Sequence, residues 1–174
     1  RLRRLHFSDR ILTEEYLVHD SIKTSTISLD FWKFVEDGMV SFDIEAIASS
    51  EIINFSYLTN RIPTNNVKLG IVITHFNRQD FVLPAVERLN KQLLKDPSFK
   101  DKVSLYIVDN SQNLPEIQNV TIIKNENLGG SGGFTRGLMH LKENGSYTHC
   151  LFMDDDASCE VEGIKRAISF LEHA

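Results

Sequence analysis

Cysteine is scarce in this chain of 174 residues, which carries only Cys150 and Cys159. Two thiols without a disulfide framework suggest a reducing compartment, and neither stands at zinc-ligand spacing to a partner. Cys150, inside an apolar run, reads as a core residue. Long apolar stretches are missing as well, so the basic opening RLRRLHF reads as a solvated arm rather than a signal peptide or membrane anchor. Basic charge is not in excess: the formal net charge is −5, which gives no footprint for nucleic acid or an anionic membrane surface. Repeats and low-complexity segments are absent, which sets aside solenoid, coiled-coil and collagen architectures. What remains is an ordinary globular composition, sufficient for one modest domain or for a small domain joined to part of a larger one.

Two textures divide the chain. Residues 1 to about 66 are rich in β-branched and aromatic residues in short alternations, as in STISLDFWKF, MVSFDIEAIA and EIINFSYLT. In VSFDIEAI, Val40, Phe42 and Ile44 alternate with Ser41, Asp43 and Glu45, the period of a half-buried strand. This part reads as a small antiparallel β domain. The turn-rich RIPTNN, with Pro63, marks the expected boundary.

From Val67 the pattern becomes apolar strands alternating with helices. KLGIVITHF reads as a buried strand, followed by a helix with Val82, Val86, Leu89 and Leu93 on one face. Asp80 is expected to cap that helix and Pro84 to fall near its first turn. KVSLYIVDNS and NVTIIKNEN are the next strands. A helix then carries Phe134, Leu138 and Leu141 and stops at Asn144-Gly145. THCLFM is the fourth strand, and a last helix presents Val161, Ile164, Ile168 and Leu171. Such alternation predicts an α/β fold with a mostly parallel sheet flanked by helices over 67–174.

In sheets of this kind ligands bind beyond the carboxyl ends of the strands. The residues following the four strands are Thr74 to Arg78, Asp109 to Ser111, Asn125 to Gly130, and Asp154 to Asp156, so all four clusters are expected along one edge. Arg78 offers a planar fork of donors suited to phosphate oxygens, or an ordinary surface ion pair. Asp109 suits a base or ribose donor, or a turn. NLGGSGGF places four glycines before a helix, where close backbone approach favours an anion or a sugar diphosphate. It departs from G-x-G-x-x-G, because counting from Gly130 the last position is Thr135. Arg136 faces either this ligand or solvent. The triplet Asp154-Asp155-Asp156 is the strongest signal: adjacent carboxylates repel unless water or a cation intervenes, and hard oxygen ligands suit Mg2+ or Mn2+. His75 sits beside the expected site, whereas His140 and His149 have no ligand spacing and read as ordinary structural residues.

With these residues assembled, the second region resembles the family-2 inverting glycosyltransferases of the GT-A fold, and more narrowly the bacterial galactofuranosyltransferases that polymerise galactan. The resemblance rests on VITHFNR (72–78), IVDNS (107–111), NENLGGSGGFTRG (125–137) and LFMDDDAS (151–158), and covers residues 67 to 174. It implies that Phe76 and Arg78 contact the donor nucleotide and its diphosphate, that Asp109 recognises uracil, and that Asn127, Gly129 and Gly130 line the donor pocket. It further implies that Asp154 and Asp156 hold Mn2+ or Mg2+ with Asp155 near the donor sugar. The implied partners are a UDP-sugar and a glycan or glycolipid acceptor. The implied location is cytoplasmic, with peripheral membrane association through the acceptor. An N-terminal β-sandwich is expected from residues 1–66.

Three departures accompany the resemblance. Position 75 is His where relatives often carry a small hydroxyl residue, the β region is short for a sandwich, and the chain ends one helix after the triplet. The family's acceptor site and catalytic base belong to a following half, so no base is assigned and the chain is expected to be a fragment of a longer enzyme. The alternatives are a rhamnosyl or galactopyranosyl donor, or a non-catalytic nucleotide-sugar module. DDDAS also has the Asp-x-Asp form of haloacid-dehalogenase-like phosphatases, but there it follows the first strand of the fold.

Overall fold

The antiparallel β structure expected of residues 1–66 is present only in part. In the computed structural model, which describes residues 2–5, 10–36 and 39–174, the chain divides into two units, Arg1–Leu58 and Thr59–Ala174. The first holds three short strands, β1 (Leu2–Leu5), β2 (Arg10–Thr13) and β3 (Met39–Phe42), antiparallel in the order β2-β1-β3. DFWKF, read from the sequence as extended, is instead a 3-10 turn over Asp30–Phe34. The alternation of VSFDIEAI ends as a strand at Phe42. Beyond it Ile44, Ile47, Ile52 and Ile53 are exposed, so no buried face holds that alternation in register. The Phe42 ring meets Phe55 and Tyr57 edge-on at 5.0 and 5.9 Å. Among the described residues the result is one three-stranded sheet, and the expected sandwich is not shown.

The second unit follows its hydrophobic pattern closely. Its strands are β4 (Leu69–His75), β5 (Val103–Asp109), β6 (Val120–Lys124) and β7 (His149–Asp154), and its helices are α1 (Gln79–Leu89), α2 (Gly129–Asn144) and α3 (Val161–His173). The strands form one all-parallel sheet in the order β6-β5-β4-β7. β4 is buried along its whole length, as a central parallel strand covered on both faces must be.

Alternation along β4 sorts its side chains between two layers. Leu69, Ile71 and Ile73 join Val82, Val86 and Leu89 of α1 and Val161, Ile164 and Ile168 of α3 in one core. Val72 joins Tyr106, Val108, Ile123 and Leu141 in the other, under α2, with Cys150 packed at its border. Burial there pushes the Cys150 thiol above its usual range. Helices therefore cover both faces, α1 and α3 on one and α2 on the other. Each fully buried aliphatic side chain contributes about 1.5–3 kcal/mol, so the four predicted α1-face residues are central to this core. α1 continues as a π-turn, Asn90–Leu94, which brings the last of them, Leu93, under the same sheet.

Details of the helices differ from expectation. The N-cap of α1 is Arg78, with no side-chain cap; Asp80 lies inside the first turn, and Pro84 sits within the helix. On α2 the sheet-facing line runs through Gly133, Gly137 and Leu141, which are buried, so Leu138 is left exposed. A Cβ on Gly133 would stand 2.3 Å from Thr74 Cγ2, and the missing side chain lets the helix settle directly on β4. Gly145 closes α2 at φ 65°, the left-handed cap that Asn144-Gly145 predicts.

The boundary also shifts. Residues 59–66 belong with the second unit, because the Thr64 and Asn65 amides donate to Glu172 O at 2.8 and 3.1 Å. Asn65 Nδ2 adds bonds to the carbonyls of Leu171 and Ala174. Helix ends leave carbonyls unsatisfied, and this segment supplies their donors. Among the described residues no helix is long and apolar enough to cross a membrane.

Candidate functional site

Strand order decides where a ligand can enter. β4 has β5 on one side and β7 on the other, so the chain reverses its winding direction beside β4, and the crevice beyond the carboxyl ends of β4 and β7 is the topological switch point. Thr74 is level with Asp154 across that junction. The residues that follow, Phe76 to Arg78 and Asp154 to Asp156, meet there.

The turn after β4 is made by Asn77 at φ 53°, a left-handed conformation that asparagine tolerates better than most residues. Its amide donates to Ser111 Oγ at 3.0 Å. Arg78 then starts α1, its carbonyl accepting the Phe81 and Val82 amides. Its guanidinium returns across the crevice: Nη1 ion-pairs with Asp156 Oδ2 and lies 3.5 Å from Asp155 Oδ1. Asp155 is buried, and its Oδ2 accepts the Phe76 amide at 3.1 Å. Asp154 and Asp156 are exposed, as is the Phe76 ring. The triplet thus splits, with the middle carboxylate turned inward and its neighbours left to solvent.

Those two outer carboxylates are the ones that would hold a cation, Asp154 from solvent and Asp156 in competition with its Arg78 pair. Among the described residues no group of three or more His, Cys, Asp or Glu side chains is arranged for a metal, so a closed protein cage does not fit. Mg2+ in nucleotide sites is commonly held by one or two carboxylates, with waters and phosphate oxygens completing its shell. Asp154 and Asp156 fit that sparser arrangement.

Asp109 lies at the end of β5, 1% exposed. Oδ1 accepts the Ser111 amide and hydroxyl and the Gln112 amide, and Oδ2 accepts the Leu114 amide, all within 3.0 Å. Burial pushes its carboxyl up, but hydrogen bonds from Leu114, Ser111 and Gln112 outweigh it and hold the group below its ordinary range. These bonds shape the loop after β5 and leave spare acceptor capacity on Oδ2 alone.

At the end of β6, the Asn125 amide donates to Asp109 O, and Asn125 Nδ2 to Asn110 Oδ1 at 2.8 Å, tying β6 to β5 past the sheet. Asn127 Oδ1 accepts the Gly129 amide. The glycine segment is already helical from Gly129, so it is the first turn of α2 and not a loop ahead of it. Gly129, at φ 72°, and Gly130 have open space beside them, whereas Gly133 and Gly137 are consumed in packing. Arg136, whose direction the sequence leaves open, is half-buried and lines a hollow of about 360 Å³ with Asn125, Ser131 and Thr135.

His75 and Asn113 were not assigned roles by sequence reasoning. His75 is fully buried, with Nε2 3.3 Å from Asn113 Oδ1 and Nδ1 3.4 Å from Asp155 Oδ2. Asn113 also donates to Asn77 Oδ1, and its carbonyl accepts Gln79 Nε2. The only sequence signal is the density of amides in DNSQN beside HFNRQ. His140 and His149 lie apart from this network, the first stacked obliquely on Tyr106 and the second bonded to Thr148.

Comparison with known proteins adds independent information. The chain is 25% identical to galactofuranosyltransferase GlfT2 of Mycolicibacterium smegmatis over 154 residues, covering 81% of this chain and 23% of that protein. The chain therefore spans about a quarter of the length of the curated relative it matches. The matched share is larger than the second unit, so the similarity reaches into residues before Thr59. No solved structure matches. The model of the family described as glycosyl transferase family 2 matches residues 70–174, a span that starts in β4 and includes all four strand ends and the crevice between them; the chain belongs to glycosyl transferase family 2.

Proposed function

We propose that this chain forms the donor-binding part of an inverting glycosyltransferase that moves a sugar, galactofuranose by preference, from UDP to a hydroxyl of a glycan or glycolipid. The observation that carries the reading is the meeting of Arg78 with the split aspartate triplet at the β4/β7 crevice, in a chain of this family. The name of the matched relative supports the choice of galactofuranose over a rhamnosyl or galactopyranosyl donor.

In this reading the exposed Phe76 ring borders the nucleotide and the Asp109 loop supports the base. Direct recognition of uracil would use the acceptor capacity left on Asp109 Oδ2. Asn127, Gly129 and Gly130 border the donor at the start of α2, where amides lack helical partners and favour negative charge. Arg78 stabilises the diphosphate as it departs, a charge-assisted contact that strengthens as negative charge develops on the leaving oxygen. Asp154 and Asp156 would hold Mg2+ or Mn2+, which when bound supplies Lewis-acid neutralisation of the diphosphate. Asp155, turned inward, faces the donor-sugar end of the crevice. Transfer with inversion also needs a general base to take the acceptor proton, and no residue here is assigned that role. Association with a membrane would come through a lipid-linked acceptor.

Isothermal titration of the full-length protein with UDP, with and without Mn2+, tests the reading, followed by turnover with a panel of UDP-sugars. Metal-dependent UDP binding and preferential turnover of UDP-galactofuranose are expected. Absence of UDP binding under both conditions would sink the proposal, and preference for another sugar would correct the donor alone.

A further inference from the structure

The ladder between β4 and β5 makes its last bond where the Asn110 amide donates to His75 O at 2.9 Å. Beyond it one chain goes on into α1 and the other toward β6, yet the two are tied again at Asn77. The Asn77 amide donates to Ser111 Oγ at 3.0 Å, and Asn77 Oδ1 accepts Asn113 Nδ2 at 3.0 Å. Donors and acceptors match throughout this clasp. The Ser111 hydroxyl gives its own hydrogen to Asp109 Oδ1 at 3.0 Å, and Asn113 O accepts Gln79 Nε2 at 2.6 Å. Asn77 itself stands at φ 53°, a left-handed conformation that costs a residue carrying a side chain. Such conformations persist where the surroundings hold them, and they gather at binding sites. The next residue is Arg78, whose guanidinium reaches back to Asp155 and Asp156.

We propose that Asn77 is a positioning residue for Arg78: clasped by Ser111 and Asn113, its left-handed turn sets the direction in which the arginine leaves the backbone and aims the guanidinium at the donor diphosphate. The proposal rests on the reading of Arg78 as a diphosphate ligand; the clasp does not. Through Ser111 and Asp109 the same bonds join the loop that would support the base to the residue that would meet the phosphates.

The test uses Asn77→Gly in the full-length protein. Glycine keeps the left-handed turn accessible, and the change deletes the acceptor of the Asn113 bond. Affinity for UDP is expected to fall about tenfold, the scale on which a networked residue modulates a site it does not touch. Affinity for uridine, which has no phosphate for Arg78 to meet, is expected to be unchanged. In an Arg78→Ala background the same substitution should cost nothing further, because the two residues act as a unit. Hydrogen exchange without ligand gives an independent measurement: protection of the amide at position 77 is expected to drop about tenfold. Thermal unfolding checks that the variant folds. Unchanged UDP affinity, equal loss of UDP and uridine, or a full loss that persists without Arg78 overturns the positioning role and leaves the transferase reading standing. A parent protein that binds no UDP removes that reading, and exchange then judges the clasp alone: lost protection upholds it and unchanged protection overturns it.

Discussion

Gly137 of α2 rests directly on Val72 of β4: a Cβ at position 137 would stand 2.2 Å from Val72 Cγ1 and 3.2 Å from its Cβ. Valine is stiff at χ1 and buried on a central strand, so it cannot swing aside. Gly137→Ala is expected to destabilise the second unit by about 1–3 kcal/mol, the usual cost of overpacking, in urea unfolding followed by circular dichroism. Gly130→Ala, with open space beside it, is expected to leave stability unchanged or raise it by about 0.4–1 kcal/mol.

Asp109 predicts a pH effect of definite sign. Its carboxyl is held below the ordinary range in the folded chain, so its stabilisation is complete above the unfolded value near 4 and is lost as pH falls through the folded value. Asp109→Asn turns one acceptor oxygen into an amide NH2, a donor that faces a loop N–H. A loss of about 1–3 kcal/mol at pH 7 is expected, the scale for hydrogen bonds to a charged group. The gap between variant and parent should narrow below about pH 4; a gap independent of pH would contradict this account.

Arg78 is shared between Asp155 and Asp156, and a diphosphate would compete with both for it. Arg78→Ala is expected to weaken UDP binding by about 1.5–3 kcal/mol. Lysine should recover only part of that, because it lacks the planar fork. Titration calorimetry decides, and full recovery by Arg78→Lys would argue for a point charge alone.

Asp154 and Asp155 should separate cleanly. On the proposed function, Asp154→Asn is expected to remove any enhancement of UDP affinity by Mn2+ while leaving metal-free UDP binding in place, since its side chain is exposed. Asp155→Asn is expected to lower the unfolding midpoint, since its carboxylate is buried against the Phe76 amide. Calorimetry with and without the metal, alongside thermal melts, distinguishes the two.

Much of the second unit was legible because its signals are local. Continuous apolar runs announced β4 and β5, and spacing announced the buried faces of α1 and α3; alternation of strands and helices then put the four polar clusters on one edge. Other features depend on residues that only the fold brings together. Which glycines stay open and which are covered follows from the seating of α2 on Val72 and Thr74, and nothing in NLGGSGGF distinguishes them. At Asp109 the sequence leaves a ligand contact and a turn equally open, because it gives no count of the amides that turn back upon the carboxylate. His75 and Asn113 are separated by a helix and a strand, so their contact has no periodic trace. In the first unit β-propensity misled: DFWKF has the composition of a strand but pairs with no strand among the described residues, and propensity without packing decides little.

The pairing of β7 with β4 sets Leu69 beside His149, joining segments at opposite ends of the second unit. Closing a loop of that length costs more entropy than the β4–β5 pairing, and contacts of high sequence separation form slowly. The acidic triplet reaches Arg78 only when that closure is made. During synthesis, β4, α1, β5, β6 and α2 emerge before any carboxylate of the triplet exists, so the crevice is the last part of this sheet to be assembled. UDP binding would then be a reporter of completed folding as well as of function: a refolding chain should regain its secondary structure before it regains the nucleotide.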